Sequence, residues 1–366
     1  MKNFRFSAGK TLPRGLCLAF VAALVATVTG CGAGGNNSPA AGSNLGAKTE
    51  ALVNKRLKCD FAPATSDVLL DWKVPKAKKP YKITLLNVSM STFYYQGLAY
   101  GAQQAADASG VELTVVAGEG YSSPATQLQQ VENAIQKGAD AIVLVPSDIQ
   151  GSVAVVEKAK AAGVKVVNIS SEVNADAVTV LQDDITLGET IAEHLGSVAH
   201  EGKGIYMAGP ATATWSLKRT VGFSNQLEAK FPKLTIADAP TQLVDPAAGL
   251  QSFNNAVQTH PDIKWIAGGY YLLLPPAALP SQYRGLPYVA TGLEPESVDA
   301  LKKGLLSGVI SVEPIPMGKV GVTRAIELLN GDTPPKTTCL PAPYYTKDNL
   351  DTREAKAEMQ PIRDKG

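Results

Sequence analysis

Aromatic residues make up only 6% of this 366-residue chain, and several fall where an apolar run gives way to a loop. Phe93, Tyr94 and Tyr95 follow the run ITLLNV at 83–88. Tyr121 closes the loop GEGY that ends the run VELTVVAG. Trp215 follows GIYMAG at 204–209, and Tyr270 and Tyr271 follow DIKWIAGG at 262–269. Ring faces carry negative potential, so several of them around a quaternary or N-oxide nitrogen bind it with about 0.5–2 kcal/mol per contact. The tyrosine hydroxyls can serve an oxygen on the same ligand. The same rings can stack on a sugar, with Ser89, Thr92, Asn168, Ser170 and Asp183 supplying hydroxyl contacts. The first chemistry predicts a cationic or zwitterionic ligand and the second a polyol, and the residues leave both open. Phe93 is expected in the core. Tyr94 and Tyr95 are expected at a pocket, because adjacent tyrosines cannot both be buried on one face. Glu294 and Glu313 stand near strand ends, and each is expected to be solvated or salt-bridged.

Catalytic patterns are missing. The chain has three histidines, and no HExxH, CxxC, GxSxG or GxxxxGK[ST] motif occurs. Asp183-Asp184 reads as a crossover and helix N-cap rather than as a metal pair. Formal net charge is +1, and no basic stripe marks a nucleic-acid partner. A non-enzyme without a cofactor is the expectation.

The elements that must position these residues alternate. Strand-like runs at 83–88, 164–169, 177–181, 204–209, 262–269 and 286–292 are separated by helical stretches such as 152–162, 186–198, 219–230, 247–259, 297–303 and 318–329. Parallel strands need long crossovers, which helices supply, so the pattern predicts an α/β fold with parallel sheets. Ligands in such sheets sit beyond the carboxyl ends of the strands, where the aromatics lie. Residues 210–215 read as a loop, and the Pro-rich LLLPPAALPSQYRG allows only short or broken helix. Two such units in series predict two lobes.

The chain opens with a cationic start and an apolar core at 16–28, followed by Val28-Thr29-Gly30-Cys31. That pattern is similar to a bacterial lipobox, which implies a signal peptide over 1–30 and a lipidated Cys31. A Gly/Ser/Asn-rich tether and an irregular extension follow, over 31–79. Cys59 and Cys339 remain, and an even pair in an exported protein is a disulfide candidate.

TFYYQGLAYGAQQAA at 92–106, GADAIVLVP at 138–146, AGVKVVNI at 162–169, DDxxLG at 183–188, GPxxxxWxxxxxxxGF at 209–223 and NGDTPP at 330–335 occur in this order. Together they resemble the type I periplasmic solute-binding proteins, the ribose- and galactose-binding superfamily, from about 80 to 350. The resemblance implies two Rossmann-like lobes joined by three crossover hinge strands and closing on a small ligand. The first lobe would take 80–183 plus 313–341, and the second 184–312 plus 342–366. The sugar binders' Asp-Arg pair falls here on Ser170 and Ser171, their loop-to-helix arginine on Leu217, and a later Asn and Asp on Tyr270 and Tyr271. AGEGY, Tyr94, Tyr95, Tyr121 and Trp215 resemble instead the periplasmic trimethylamine-N-oxide sensor branch, whose partner is a histidine kinase. The resemblance thus implies a monomeric, lipid-anchored receptor in the periplasm or on the outer face of the cytoplasmic membrane. Its partner would be an ABC permease or a sensor kinase, and its ligand an amine oxide, a betaine-like zwitterion or a sugar. The ligand-binding set is Tyr94, Tyr95, Tyr121, Ser170, Asp183, Trp215, Tyr270 and Tyr271.

Overall fold

The computed structural model describes residues 47–118, 120 and 124–359. The leader, Cys31, most of the tether and Tyr121 lie outside the described residues. The extension contains two short helices, α1 (Ala47–Val53) and α2 (Ser66–Leu70). Then follow β1 (Lys82–Asn87), α3 (Phe93–Ser109), β2 (Glu112–Ala117), α4 (Pro124–Gln136), β3 (Ala141–Leu144), α5 (Gly151–Ala161), β4 (Lys165–Ile169) and β5 (Val178–Leu181). The chain continues with α6 (Asp184–Val198), β6 (Gly202–Met207), α7 (Thr214–Lys230), β7 (Leu234–Asp238), α8 (Pro246–Thr259) and β8 (Trp265–Gly268). It ends with β9 (Tyr288–Thr291), α9 (Pro295–Lys302), β10 (Gly308–Ile310), α10 (Pro314–Asn330), β11 (Thr337–Cys339), β12 (Tyr344–Tyr345) and α11 (Arg353–Glu358). The Pro-rich stretch after β8 forms single 3-10 turns at 271–273, 276–278 and 281–283, because proline removes the donors a longer helix needs.

Two six-stranded sheets result, ordered β11-β5-β4-β3-β1-β2 and β12-β10-β9-β8-β6-β7. Every pair is parallel except β10–β12. The central strands β3, β8 and β9 are buried along their whole length, as expected where helices cover both faces of a sheet. One core packs α3 and α10 on the first sheet, with Leu85, Leu98, Val143 and Val320 at its centre. In the second lobe Leu187, Ile191, Phe223 and Trp265 anchor α6 and α7. Glycines bring these helix pairs into backbone contact: a Cβ on Gly318 would run into the Leu98 carbonyl, and one on Gly222 into the Ile185 carbonyl. The helices at the lobe junction are therefore packed tightly, and the side chains they carry toward the junction are held in fixed positions.

The chain passes between the lobes after β5, after β10 and after β11. Gln182, buried on the first passage, donates to the carbonyls of Ser311 and Pro341 on the other two. Ser311 N donates to Pro343 O at 2.8 Å, and Leu340 N to Leu181 O at 2.7 Å. One amide side chain thus ties the three hinge segments together.

The extension is less irregular than its sequence reads. It lies along the edge of the first sheet through a parallel bridge from Phe61 to Thr338. Cys59 and Cys339 form a disulfide there, with Cα atoms 5.6 Å apart.

Candidate ligand-binding site

Tyr94 and Tyr95 occupy the first turn of α3, after the N-cap Thr92. Consecutive helical side chains point about 100° apart, so the two rings diverge and meet edge to face, 5.3 Å apart and at 81°. Tyr95 is buried in the first lobe's core. Tyr94 is half-buried and packs against the cores of both lobes. Its hydroxyl lies 2.8 Å from Ser170 Oγ and 3.5 Å from Met317 Sδ. Ser170 has φ of 73°. A left-handed non-glycine residue costs on the order of 1–3 kcal/mol and persists where the surroundings hold it, often at a ligand site.

The second lobe contributes α7. This helix starts at Thr214, one turn earlier than the sequence pattern indicates. Trp215 and Arg219 therefore stand at i and i+4 on one face, with the guanidinium 4.9 Å from the indole centroid. Arg219 is buried, and its charge is met by Asp184 at 2.8 Å, Gly269 O at 2.7 Å and Thr291 Oγ1 at 3.0 Å. The neighbouring Lys218 reaches across to Glu172 of the first lobe and donates to the Lys55 carbonyl at 2.7 Å. The lobes and the extension meet at this residue.

Tyr270 comes from the end of β8. Its hydroxyl donates to Glu294, and Tyr271 donates to Glu294 at 3.0 Å and to Glu296 at 3.2 Å. Glu294 is 2% exposed. Burial pushes its carboxyl up to about 7, while the two phenol donors pull the other way. Burial also raises the Tyr270 phenol, and the Glu294 charge adds to this. That hydroxyl therefore stays protonated and donating.

These residues enclose a cavity between the lobes, with about 40 Å³ open to the centre of a water molecule. A water needs roughly 10–15 Å³ on that measure, so the space suits a ligand of a few heavy atoms. Tyr94, Tyr95, Ser170 and Thr92 line it from the first lobe. Trp215, Arg219, Val244 and Tyr270 line it from the second, and Val312 from a crossover. The Thr92 hydroxyl is buried without a hydrogen-bond partner among the described residues. Among the described residues no acidic side chain lines the cavity, and the described walls offer ring faces, hydroxyls and one buried guanidinium.

The cleft brings Tyr94, Tyr95, Ser170, Trp215 and Tyr270 together. Tyr271 is buried behind Tyr270 and does not line it. Asp183 also stands apart: its carboxylate accepts from Thr186 Oγ1 at 2.6 Å and lies 3.6 Å from Arg56. Tyr121 lies outside the described residues. Glu294 and Glu313 are neither solvated nor salt-bridged but fully buried, because the loops that carry them turn inward under α9 and α10. Thr92, read from the sequence as a hydroxyl contact, lines the cavity, whereas Arg219, Val244 and Val312 were not anticipated. The cationic position sought at Leu217 is met two residues later by Arg219, and the Trp-x-x-x-Arg spacing would have shown it once the helix was started at Thr214. Among the described residues, no group of three or more His, Cys, Asp or Glu could hold a metal. No described helix is long and apolar enough to cross a membrane.

Two α/β lobes with a ligand-sized cleft between them define a solute-binding protein of type I architecture. The chain belongs to the family described as "Periplasmic binding protein domain", whose model matches residues 83–333. It is similar to the ribose import binding protein RbsB of Bacillus subtilis strain 168, with 26% identity over 275 residues, 74% of this chain and 88% of that protein. It is also similar to the periplasmic protein TorT of Escherichia coli K12, with 28% identity over 307 residues, 78% of this chain and 84% of that protein. Among solved structures, a sugar ABC transport substrate-binding protein of Bordetella parapertussis 12822 aligns with a TM-score of 0.73 and 25% identity, covering 80% of this chain and 97% of that one. A carbohydrate-transporter solute-binding protein of Agrobacterium radiobacter, in complex with D-arabinose, shares the fold with a TM-score of 0.73 at 20% identity, covering 78% and 100%.

Proposed function

We propose that this chain is an extracytoplasmic receptor, lipid-anchored through Cys31, that closes its lobes on a compact amine oxide or betaine-like zwitterion. It then presents the closed form to the permease of an ABC importer. The observation that carries the ligand class is the cleft wall: Tyr94, Tyr95, Trp215 and Tyr270 around about 40 Å³, with a buried arginine and, among the described residues, no carboxylate. Ring faces favour a methylated nitrogen. Arg219 disfavours a bare cation and favours a ligand that also carries a negative oxygen. A sugar would need dense donor–acceptor pairs for its buried hydroxyls. The cleft supplies few, and two of them, Tyr94 and Ser170, already face each other.

Hinge closure requires no bond-making residues, in keeping with a family of binding proteins rather than enzymes. The similarity to RbsB supports the importer role. The second reading, a sensor that presents its ligand to a histidine kinase, draws support from the similarity to TorT and from the resemblance that the aromatic positions suggest in the sequence.

Thermal-shift titration with trimethylamine N-oxide, glycine betaine and D-ribose tests the ligand class. A zwitterion is expected to raise the melting temperature, since it binds only the folded form. Trp215→Ala is expected to weaken that binding about tenfold or more, from the loss of a contact worth up to about 2 kcal/mol, with a much smaller effect on the ligand-free midpoint. A shift with D-ribose alone would overturn the reading. Cross-linking in native membranes with bound ligand then separates the roles: a captured permease supports import, a captured kinase supports sensing.

A further inference from the structure

The extension ahead of β1 is attached to both lobes. On the first lobe it is fixed by the Cys59–Cys339 disulfide. Asp60 N and Phe61 N donate to Thr337 O at 3.0 and 3.1 Å, and Cys339 N donates to Phe61 O at 2.8 Å. Further on, Leu69 joins that lobe's core. Upstream of Cys59 the chain leaves β11 and crosses to the second lobe. Arg56 pairs with Glu189 of α6, donates to Thr186 Oγ1 at 3.2 Å and lies 3.6 Å from Asp183. The helix α1 packs on α7.

Beneath this crossing the lobes touch each other directly. Thr214 and Lys218 stand at i and i+4 on α7, and both reach Glu172 in the loop after β4. Thr214 Oγ1 donates to the Glu172 carbonyl at 3.1 Å, and Lys218 pairs with the carboxylate. Lys218 is 1% exposed. A buried ammonium needs its donors met, and its second acceptor is the Lys55 carbonyl at 2.7 Å. Both acceptors belong to the first lobe, Glu172 through its loop and Lys55 through the disulfide at Cys59. Opening the cleft therefore takes both from Lys218 at once. The extension cannot stay behind on the second lobe, because the three residues from Arg56 to Cys59 span at most about 11 Å.

We propose that the extension is a strap that holds the lobes shut even without a bound solute. Lys55 and Arg56 are its grip on the second lobe, and the disulfide is its anchor on the first. The Lys218–Glu172 pair is the contact it seals. A solute entering a chain that rests closed loses little affinity to the closing step, but it enters and leaves only as fast as the strap lets go. The device does not depend on which solute the cleft takes.

Electron–electron double resonance on the solute-free full chain tests the strap. Gln129 in α4 and Gln251 in α8 are each replaced by a ketone-bearing residue that takes a spin label and leaves the cysteines untouched. Both positions are exposed. Their helices follow the edge strands β2 and β7, on the side away from the crossovers, where opening separates the lobes most. A single short distance is expected with the native strap. Joint Cys59→Ala and Cys339→Ala substitution is expected to shift most of the population to a longer distance. Arg56→Glu, which sets like charge against Asp183 and Glu189, is expected to shift a smaller share. The Arg56 side chain is 54% exposed, so this variant keeps the fold and decides the matter if the disulfide variant does not. A long distance with the native strap in place would overturn the proposal. So would a distance left unchanged by loss of the disulfide or, where that variant does not fold, by Arg56→Glu.

Discussion

Val312 and Glu313 are neighbours in sequence but belong to different cavities. The cleft in front of the crossover is small and aromatic, and its one charged wall residue among those described, Arg219, is paired with Asp184 at 2.8 Å. The space behind is about 810 Å³, and its two buried carboxyls, Glu313 and Glu358, pair with each other with no cation beside them among the described residues. The difference shows where each cavity takes its specificity. In front, the wall is complete and a ligand must fit its shape. Behind, two carboxyls closed off from solvent share hydrogen bonds, and a proton must balance them.

The comparison can be broken most sharply at Arg219. Arg219→Ala removes the balance in front and leaves Asp184 buried and unpaired, a loss of on the order of 3–5 kcal/mol. Denaturant unfolding should show it as a large drop in midpoint; a change within error would mean that the front was never held by that pair.

Gln182 is the next test, because it ties the crossovers that separate the two spaces. Gln182→Ala leaves the Ser311 and Pro341 carbonyls without that donor and should cost about 1–3 kcal/mol. A larger relative loss of ligand affinity than of stability is expected, since a loosened hinge populates the closed form less.

The smallest effect is one of pH, and it sharpens the contrast. Burial raises Glu294 to about 7 and Glu313 to about 8, and it raises Glu358 as well, with the Glu313 charge adding to the shift. A carboxyl raised in the folded state keeps its proton while the unfolded chain loses one. Its contribution is therefore full below the ordinary glutamate range and is lost as pH rises toward about 8. His194, held neutral by burial, acts in the opposite direction below its ordinary range. Melting temperature should thus fall between pH 6.5 and pH 8.5, above the His194 window, and Glu313→Gln should flatten the slope. An unchanged slope in that variant would remove the rear pair as the cause.

Much of the fold was legible because its determinants are local. Apolar runs such as AIVL at β3, glycines after helices and the Pro-rich break after β8 act over a few residues, and each appears where the pattern placed it. Tyr94, Tyr95 and Trp215 were legible for a related reason, since strand ends face the cleft in this architecture. Arg219 was missed because the start of α7 was read one turn late, which hid its shared face with Trp215. Glu294 and Glu313 were misread because a carboxylate at a strand end has solvent as its local expectation, and only the packing of α9, α10 and α11 over those loops excludes it.

By itself, then, the sequence determined the alternation of strands and helices, the two-lobe family and the aromatic character of the cleft. Each of these follows from side-chain periodicity or from the place of a residue along its own element. Only the tertiary structure decided that Gln182 joins three hinge segments and that Tyr271 and Asp183 stand outside the cleft. It alone decided that Glu358, far along the chain, meets Glu313 in a buried space. Those outcomes depend on contacts between residues distant in sequence, and no local pattern encodes them.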